Sequence, residues 1–204
     1  MVTQIAPSIA LPAEQSWPPQ GQWTYEDYLR LPDDNNRYEI IEGVLYVANA
    51  PSYEHQFTAG EIFGELRNFV KAKSLGVVIA APFEVHLPGI AKPVQPDIVF
   101  IAAARQPTSD TQIFEGAPDL VVEVISPSSL RVDRYVKLSA YERARVREYW
   151  LVDPKTHSVE VYSLPAEGSE YILLGQFTAG EKIKSAVLAG FELAVDTLFA
   201  PSNL

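Results

Sequence analysis

The sequence contains no cysteine among its 204 residues. That absence excludes disulfide bonds, cysteine-ligated zinc, iron–sulfur clusters and cysteine nucleophiles. No run approaches the roughly 18 consecutive apolar residues of a membrane helix, and no basic region precedes the weakly apolar N-terminus. We therefore expect no membrane segment, no signal peptide and a cytoplasmic location. Hydrophobic residues at 47% and charged residues at 21% are typical of a globular protein of one domain.

Positive charge is scarce. The chain has 16 Lys and Arg against 26 Asp and Glu, a net charge of −10. Proteins that coat nucleic acid are normally basic, so such a partner must be met by a local patch. One segment offers a patch, because residues 127–148 carry six cations against three acids. A solvated helix end accounts for this segment equally well.

The N-terminal part predicts an arm, a short helix and a hairpin. Residues 1–22 are rich in proline and small residues, which predicts an irregular arm that packs through Trp17. A short helix over 24–29 with Thr24 as its N-cap follows. Residues 37–47 then predict two strands joined at a glutamate–glycine turn.

A long helix is predicted from Ser52 to about Ser74. Six residues with helical spacing share one face, namely His55, Ala59, Ile62, Leu66, Phe69 and Val70. Gly76 stands where a glycine that ends a helix is expected.

Short apolar runs alternate with proline and glycine through the middle of the chain. They predict strands over 77–80, 83–87, 97–102 and 120–125. A second long helix follows from 128 or 129 to 145, then a strand over 148–152 and a hairpin formed by 158–163 and 171–177. The order predicts an α/β sandwich with a mixed sheet, as one domain over 23–204.

Acidic residues inside strands are the main chemical feature, since the common nucleotide-binding and hydrolase motifs are absent. Asp97 begins one strand and Glu123 lies within another, between apolar neighbours. Charged residues are rarely buried unless they are paired or bind a metal. Two convergent carboxylates suit a hard cation such as Mg²⁺. A salt-bridged glutamate and a strand-capping aspartate are the structural alternative.

Lys137 favours the metal site over that alternative. A helical wheel for 129–145 places Lys137 in the middle of the packing face, with Leu130 on that face and Asp133 at its edge. A lysine at such a position needs a partner, and Glu123 is the nearest candidate along the chain. The pattern allows a structural lysine–glutamate pair or a two-carboxylate metal site with a catalytic lysine. We favour the metal site.

Three further residues are weaker candidates. Glu39 lies in the middle of a strand and is a possible third acid. His55 lies on the apolar face of the first long helix, where a histidine is more commonly a satisfied core residue. Tyr141 follows the lysine by one helical turn and could orient it. His86 and His157 look like ordinary strand and turn residues.

Several segments together resemble a known family. They are QPDIVF, GAPDLVVEVISPSS, D-x-x-x-K-x-x-x-Y-E, VREYWLVDP, RYEIIEGVLYV and APSYEH. This combination resembles the Uma-two family of endonucleases, which belongs to the restriction-endonuclease-like PD-(D/E)xK superfamily. The resemblance runs from about residue 23 to 199. It implies a restriction-endonuclease-like α/β fold: a mixed central β-sheet flanked by two main helices, with extra N-terminal and C-terminal β-hairpins.

The resemblance also implies an active site. The proline–aspartate of the superfamily corresponds to Pro96-Asp97, and its second acid corresponds to Glu123. The lysine expected two residues later is replaced by Ile125, so the resemblance implies that the lysine has moved to the helix as Lys137. The implied reaction is metal-dependent phosphodiester hydrolysis.

The implied ligands and partners complete the hypothesis. Mg²⁺ or Mn²⁺ would bind to Asp97, Glu123 and the Val124 carbonyl, while Lys137 would position the attacking water. Arg131 and Arg134 would contact phosphates of a nucleic acid, with DNA favoured over RNA. A homodimer is expected, because one small acidic domain presents little surface to a duplex. A non-catalytic, dimeric interaction module on a nuclease-like scaffold is the competing hypothesis, favoured by the net charge.

Overall fold

The protein is described by a computed structural model that covers residues 16–34, 36–48 and 50–200. Most of the predicted arm, residues 1–15, lies outside the described residues. In chain order the elements are α1 (Tyr25–Tyr28), β1 (Arg37–Ile41), β2 (Val44–Ala48), α2 (Tyr53–Ala72), β3 (Gly76–Ala80), β4 (Glu84–Leu87), β5 (Ala91–Val94), β6 (Ile98–Ala102), β7 (Ile113–Glu115), β8 (Leu120–Val124), α3 (Leu138–Arg143), β9 (Glu148–Asp153), β10 (Ser158–Ser163), β11 (Ile172–Phe177), β12 (Lys182–Lys184) and β13 (Glu192–Ala194). A π-helical segment, Val132–Lys137, directly precedes α3.

The strands form two main sheets. One has the order β2-β1-β5-β4-β7, the other has the order β11-β10-β9-β8-β6-β3, and β12 and β13 pair separately. Both main sheets are mixed, because β4 is parallel to β7 and β8 is parallel to β9. The predicted mixed α/β architecture is confirmed, including the hairpins β1–β2 and β10–β11. The second sheet was not predicted, since β5 and β7 are only four and three residues long.

The six-stranded sheet separates two cores. Alternate residues of β6 point to opposite faces, so Ile98 and Phe100 pack with α2 while Val99 and Ile101 pack against α3 and the five-stranded sheet. The middle strand β8 is buried along its whole length. Its neighbour β9 is buried except at its last residue. Each is covered on both faces, as the nearly unbroken apolar runs predicted.

Helix α2 follows the predicted pattern at its start and along its face. The side chain of Ser52 accepts a hydrogen bond from the backbone N–H of His55, and the buried residues repeat every three or four positions. The helix ends at Ala72, close to the predicted Ser74, but the glycine predicted to end it does not do so. Ser74, with φ of 52°, takes the left-handed position after the helix, whereas Gly76, with φ of 146°, opens β3.

The second long helix also differs from its prediction as one continuous α-helix. The backbone N–H of Leu138 bonds the carbonyl of Asp133, five residues earlier, as in a π-helix. The wider turn rotates the preceding residues relative to those that follow. Leu130 is therefore 41% exposed instead of lying on the packing face, and Asp133 is buried instead of lying at its edge.

The N-terminal segment packs on the outside of the five-stranded sheet. Trp17 stacks on Trp23 with ring centroids 5.5 Å apart, and both rings join a small core with Tyr38 and Leu45. Helix α1 begins with the capping box of Thr24 and Asp27. Across residues 16–34, 36–48 and 50–200, no helix is long and apolar enough to cross a membrane.

Candidate active site

Asp97 lies immediately before β6 and joins three elements. Its Oδ1 atom lies 3.0 Å from Nη1 of Arg37, which opens β1. Its Oδ2 atom accepts the backbone N–H of Val124 at 2.9 Å and lies 3.1 Å from Nε2 of His55 on α2. Because β6 pairs with β8, Asp97 comes to lie beside the residue that follows Glu123.

Glu123 lies in β8 and is 1% exposed. Its Oε1 atom accepts hydrogen bonds from the Tyr141 hydroxyl at 2.6 Å and from Nζ of Lys137 at 3.0 Å. Its Oε2 atom has no hydrogen-bond partner within the described part of the chain. Two residues of the following helix therefore hold one oxygen of this carboxylate and leave the other open.

Lys137 is 2% exposed and faces the sheet, as the helical spacing predicted. It meets three carboxylates instead of the single one expected. Its Nζ atom lies 2.9 Å from Glu39 and 3.7 Å from Asp133, in addition to its contact with Glu123. Glu39 also accepts the backbone N–H of Gln95 at 2.7 Å. The structure thus places Glu39 in the same cluster as the two predicted acids.

Two residues of this cluster, Arg37 and Asp133, were missed as site residues. Strand alternation carries a signal for Arg37, because it lies two residues before Glu39 and so shares its face. No comparable signal exists for Asp133, since its burial depends on the π-helical turn.

The carboxylates of the cluster differ in their affinity for a proton. Burial alone would raise the pKa of Asp97, but the contact with His55 and the positive charge of Arg37 outweigh it and hold that pKa well below its usual range. Burial raises the pKa of Glu123 to about 8, because Lys137 offsets only part of the desolvation. Asp97 is therefore the firmly ionised acid, whereas the charge of Glu123 is only partly compensated.

The pKa values of Asp133 and Lys137 also depend on burial and on neighbouring charges. Burial raises the pKa of Asp133 to about 6 despite the nearby Lys137. The pKa of Lys137 is raised, since Glu123 and the other surrounding carboxylates outweigh the burial of its ammonium group. Lys137 thus stays charged in the interior.

The cluster has the donor chemistry for a hard divalent cation. Four carboxylates, those of Glu39, Asp97, Glu123 and Asp133, surround the two permanent cations Arg37 and Lys137. Across the described residues, no three His, Asp or Glu side chains are arranged as a ready metal cage. Mg²⁺ commonly takes only one or two protein carboxylates and keeps several waters. The excess negative charge and the open oxygen of Glu123 therefore fit Mg²⁺.

Asp97 also borders open space. A cavity of about 140 Å³ is lined by Asp97 and Arg37 and by His55, Ala59 and Gly60 of α2. Glu123 and Lys137 do not line it. A ligand in this cavity would therefore meet Asp97 and the partly exposed guanidinium of Arg37.

The cations predicted to bind phosphate are placed differently from one another. Arg131 is exposed and has no ion-pair partner within the described part of the chain. Arg134 pairs with Glu160 at 2.8 Å. The remaining cations of the predicted basic segment are engaged within the chain: Lys137 in the cluster, Arg143 by Glu42, Arg145 by the Gly168 carbonyl and Arg147 by Asp119. The roles of Arg131 and Arg134 in nucleic-acid binding stay predictions.

The other two histidines lie outside this cluster. His86 is buried in β4, with its ring nitrogens 2.5 Å from Glu84 and 2.9 Å from Glu115. His157 stacks on Phe199 with ring centroids 4.7 Å apart. Neither histidine contacts Asp97 or Glu123.

A mixed α/β fold that gathers acids and a lysine beside its central strands defines a restriction-endonuclease-like protein. The family described as "Uma2: Putative restriction endonuclease" matches residues 25–196, and the chain belongs to this family. The fold is similar to the crystal structure of "a putative nuclease belonging to DUF820" from Anabaena variabilis ATCC 29413. That alignment has a TM-score of 0.72 and 21% identity, and it covers 86% of this chain and 97% of the other. No curated protein matches the chain.

Proposed function

We propose that this protein is a Mg²⁺-dependent endonuclease that hydrolyses phosphodiester bonds, with DNA as the favoured substrate. The observation that carries the proposal is the convergence of Asp97 and Glu123 beside the buried Lys137, with Asp97 bordering a cavity. Membership of a family described as a restriction endonuclease supports the reaction class.

Asp97 and Glu123 would hold the ion, and the Val124 carbonyl would supply a further oxygen. Mg²⁺ held by these residues would supply Lewis-acid chemistry, polarising a phosphoryl oxygen and lowering the pKa of a water. Because Arg37 and His55 keep Asp97 ionised, this residue presents a negative carboxylate at neutral pH.

The other residues of the cluster orient the carboxylates and the substrate. Lys137 and Tyr141 fix Glu123 through one oxygen. The guanidinium of Arg37, whose side chain is 27% exposed and lines the cavity, would contact a phosphate oxygen there. The role predicted for Lys137 in positioning the attacking water stays a prediction, while its carboxylate contacts support a role in holding Glu123.

Nicking of supercoiled plasmid in Mg²⁺ or Mn²⁺ tests the proposal. We expect the wild type to nick and both Asp97→Asn and Glu123→Gln to lose activity, because each change removes a charge that holds the ion. Glu123→Gln should unfold at a similar or higher temperature without metal, since it removes a poorly compensated buried charge. Asp119→Asn is the matched control, because Asp119 is equally buried and pairs with Arg105 at 2.7 Å. It should leave nicking unchanged.

Calorimetric titration of Mn²⁺ separates this proposal from the interaction-module alternative. The wild type should bind Mn²⁺, and Asp97→Asn should bind it weakly or not at all. A wild type that binds no Mn²⁺ and cleaves no nucleic acid would favour the non-catalytic module.

A further inference from the structure

We propose that the groove between α2 and β3 binds a single strand of nucleic acid and leads it to Asp97. This inference rests on the proposed function and names the form of its substrate. The α2–β3 groove is bounded by residues 55–74 on one side and 76–81 on the other.

Two cavities lie along this groove. The first, of about 140 Å³, borders Asp97 and is lined by His55, Ala59, Gly60 and Phe63 of α2 together with Ala80. The second, of about 380 Å³, is lined by Arg67, Val70 and Lys71 of α2 together with Gly76, Val77 and Val78 of β3. Phe63 and Arg67 are one helical turn apart, and both cavities are bounded by the same helix and strand. They therefore form successive parts of one groove.

The dimensions of the groove suit one strand. From His55 to Lys71 the helix rises about 24 Å, which spans about seven nucleotides at the roughly 3.4 Å spacing along a DNA strand. A cavity of about 140 Å³ cannot enclose a base-paired duplex, so a strand that reaches Asp97 within it must be locally unpaired.

Two glycines leave the surface of α2 open, and one of them lines the groove. Gly60 and Gly64 lie in the interior of α2, where glycine is less favourable than alanine. A Cβ atom added at either position meets no atom within 4 Å. Packing within the described residues therefore does not require these glycines. Glycine also permits close approach of a ligand, and Gly60 lines the first cavity.

The far end of the groove carries positive charge that no carboxylate neutralises. Arg67 and Lys71 are exposed, line the second cavity and have no ion-pair partner in the described part of the chain. Glu61 and Glu65 of the same helix line neither cavity. In a chain of net charge −10, unpaired cations beside a groove indicate an anionic ligand. Phosphates of a strand that extends from Asp97 supply those anions.

The end of the groove at Asp97 is polar. His55 is 8% exposed and lines the first cavity. Its Nδ1 atom has no partner within the described residues. The groove therefore combines a polar end, formed by Asp97 and His55, with a basic end about 24 Å away.

Fluorescence anisotropy of a labelled twelve-nucleotide strand, against a duplex of the same sequence, tests the groove in the full chain. EDTA is present so that binding is measured without cleavage. We expect the single strand to bind at least tenfold more tightly than the duplex. Arg67→Ala/Lys71→Ala should weaken single-strand binding at least tenfold and reduce its salt slope by about 1.4, the value for two lost phosphate contacts. Lys155→Ala/Lys182→Ala removes the same charge elsewhere and should bind as the wild type does.

A second variant separates binding from folding. Gly60→Leu places a side chain into open space at the first cavity, which Gly60 lines, and leucine is a better helix former than glycine. Its melting temperature should stay the same or rise while single-strand binding falls at least tenfold. Asn68 is exposed on α2 and lines neither cavity, so Asn68→Leu should not affect single-strand binding.

The outcomes distinguish this inference from the proposed function. Three results would each overturn the groove assignment. The first is tighter binding of the duplex than of the single strand, and the second is binding that is insensitive to both groove variants. The third is better competition by polyglutamate than by the unlabelled strand. If the protein cleaves DNA but neither groove variant changes strand binding, the groove assignment is wrong and the nuclease proposal stands. Groove-dependent binding without cleavage in Mg²⁺ or Mn²⁺ would support the groove and count against the nuclease.

Discussion

At the scale of single residues, Lys137 balances the charges of the candidate site. Its ammonium group is buried and contacts Glu39, Glu123 and, at a longer distance, Asp133. Buried charges are costly to remove singly, because the partner charges remain without compensation. The same lysine therefore contributes to folding and to the geometry of Glu123.

Lys137→Ala should lower the free energy of unfolding by about 3–5 kcal/mol, as measured by urea denaturation, because it strands buried carboxylates. Adding Glu123→Gln to this variant should restore part of the loss. Nicking should be lost, while Mn²⁺ binding should persist if Asp97 and Glu123 hold the ion. Wild-type stability of Lys137→Ala would contradict the charge balance that we describe.

Spacing along the chain explains which of these contacts the sequence predicted. Lys137 and Glu123 are only 14 residues apart and lie on consecutive elements, so their contact followed from the helical wheel. Glu39 is 98 residues away from Lys137, and no local pattern connects the two. The sequence pointed to Glu39 as an acid in a strand but did not predict its partner.

At the scale of elements, the connection between α2 and β3 depends on close backbone packing. Gly76 has a φ of 146°, and a Cβ atom there would lie 2.1 Å from the Ile101 carbonyl oxygen and 2.8 Å from the Ala103 nitrogen. Both neighbours are backbone atoms of the paired strand and its following turn, so they cannot rotate away. This contact sets the beginning of β3 and one wall of the α2–β3 groove.

Gly76→Ala should therefore destabilise the protein by clearly more than the roughly 1–2 kcal/mol that a left-handed conformation costs an alanine. Gly89→Ala is the matched control, because Gly89 has a φ of 73° but open space at the Cβ position. Thermal unfolding of the two variants gives the comparison. Equal losses would show that backbone conformation alone, without the steric contact, decides the effect.

At the scale of the whole molecule, Glu148 connects residues 185–187 of the C-terminal segment to the central sheet by hydrogen bonds. Its carboxylate is fully buried at the start of β9. It accepts hydrogen bonds from the indole of Trp150 at 2.6 Å, the hydroxyl of Ser185, and the backbone N–H groups of Ala186 and Val187. All four partners donate, so a carboxylate suits this position and an amide does not.

Glu148→Gln should cost about 1–3 kcal/mol of stability, because its NH₂ group must face another donor. Burial raises the pKa of Glu148 above its ordinary value even though its hydrogen bonds oppose the shift. The folded state then binds the proton more tightly, so the wild type gains stability relative to the variant as pH falls through the folded pKa. Urea denaturation between pH 4 and pH 8 checks this trend. A difference that shrinks on acidification would contradict it.

The assembly expected from the sequence, a homodimer, stays a prediction. Strand β11 ends the six-stranded sheet, contains no charge or proline, and exposes Ile172, Leu173 and Leu174. Such an edge is normally covered, and two antiparallel copies of β11 can pair about a two-fold axis. Light scattering at tens of micromolar should show two copies for the wild type and one for Leu173→Lys. Leu29→Lys, at another exposed leucine, should remain dimeric.

Local patterns in the sequence determined the strands, the long helix and the acids that stand inside strands. Burial of an apolar face requires apolar residues to repeat every two positions in a strand and every 3.6 positions in a helix. Short segments of the sequence are therefore enough to predict these features. The same spacing placed Lys137 on the sheet side of its helix. Such patterns act over a few residues and need no knowledge of the rest of the chain.

Tertiary structure alone decided the second sheet, the π-helical turn and the full charge cluster. Strand β5 pairs with β1, which lies far from it along the chain, and β7 pairs with β4. Both β5 and β7 are too short to be predicted from their own residues, and packing against their neighbours decides that they form strands. Arg37 meets Asp97 across 60 residues and Glu39 meets Lys137 across 98. Those distances are closed only when the two sheets pack together, since the free energy of burial belongs to the assembled core and not to any single segment.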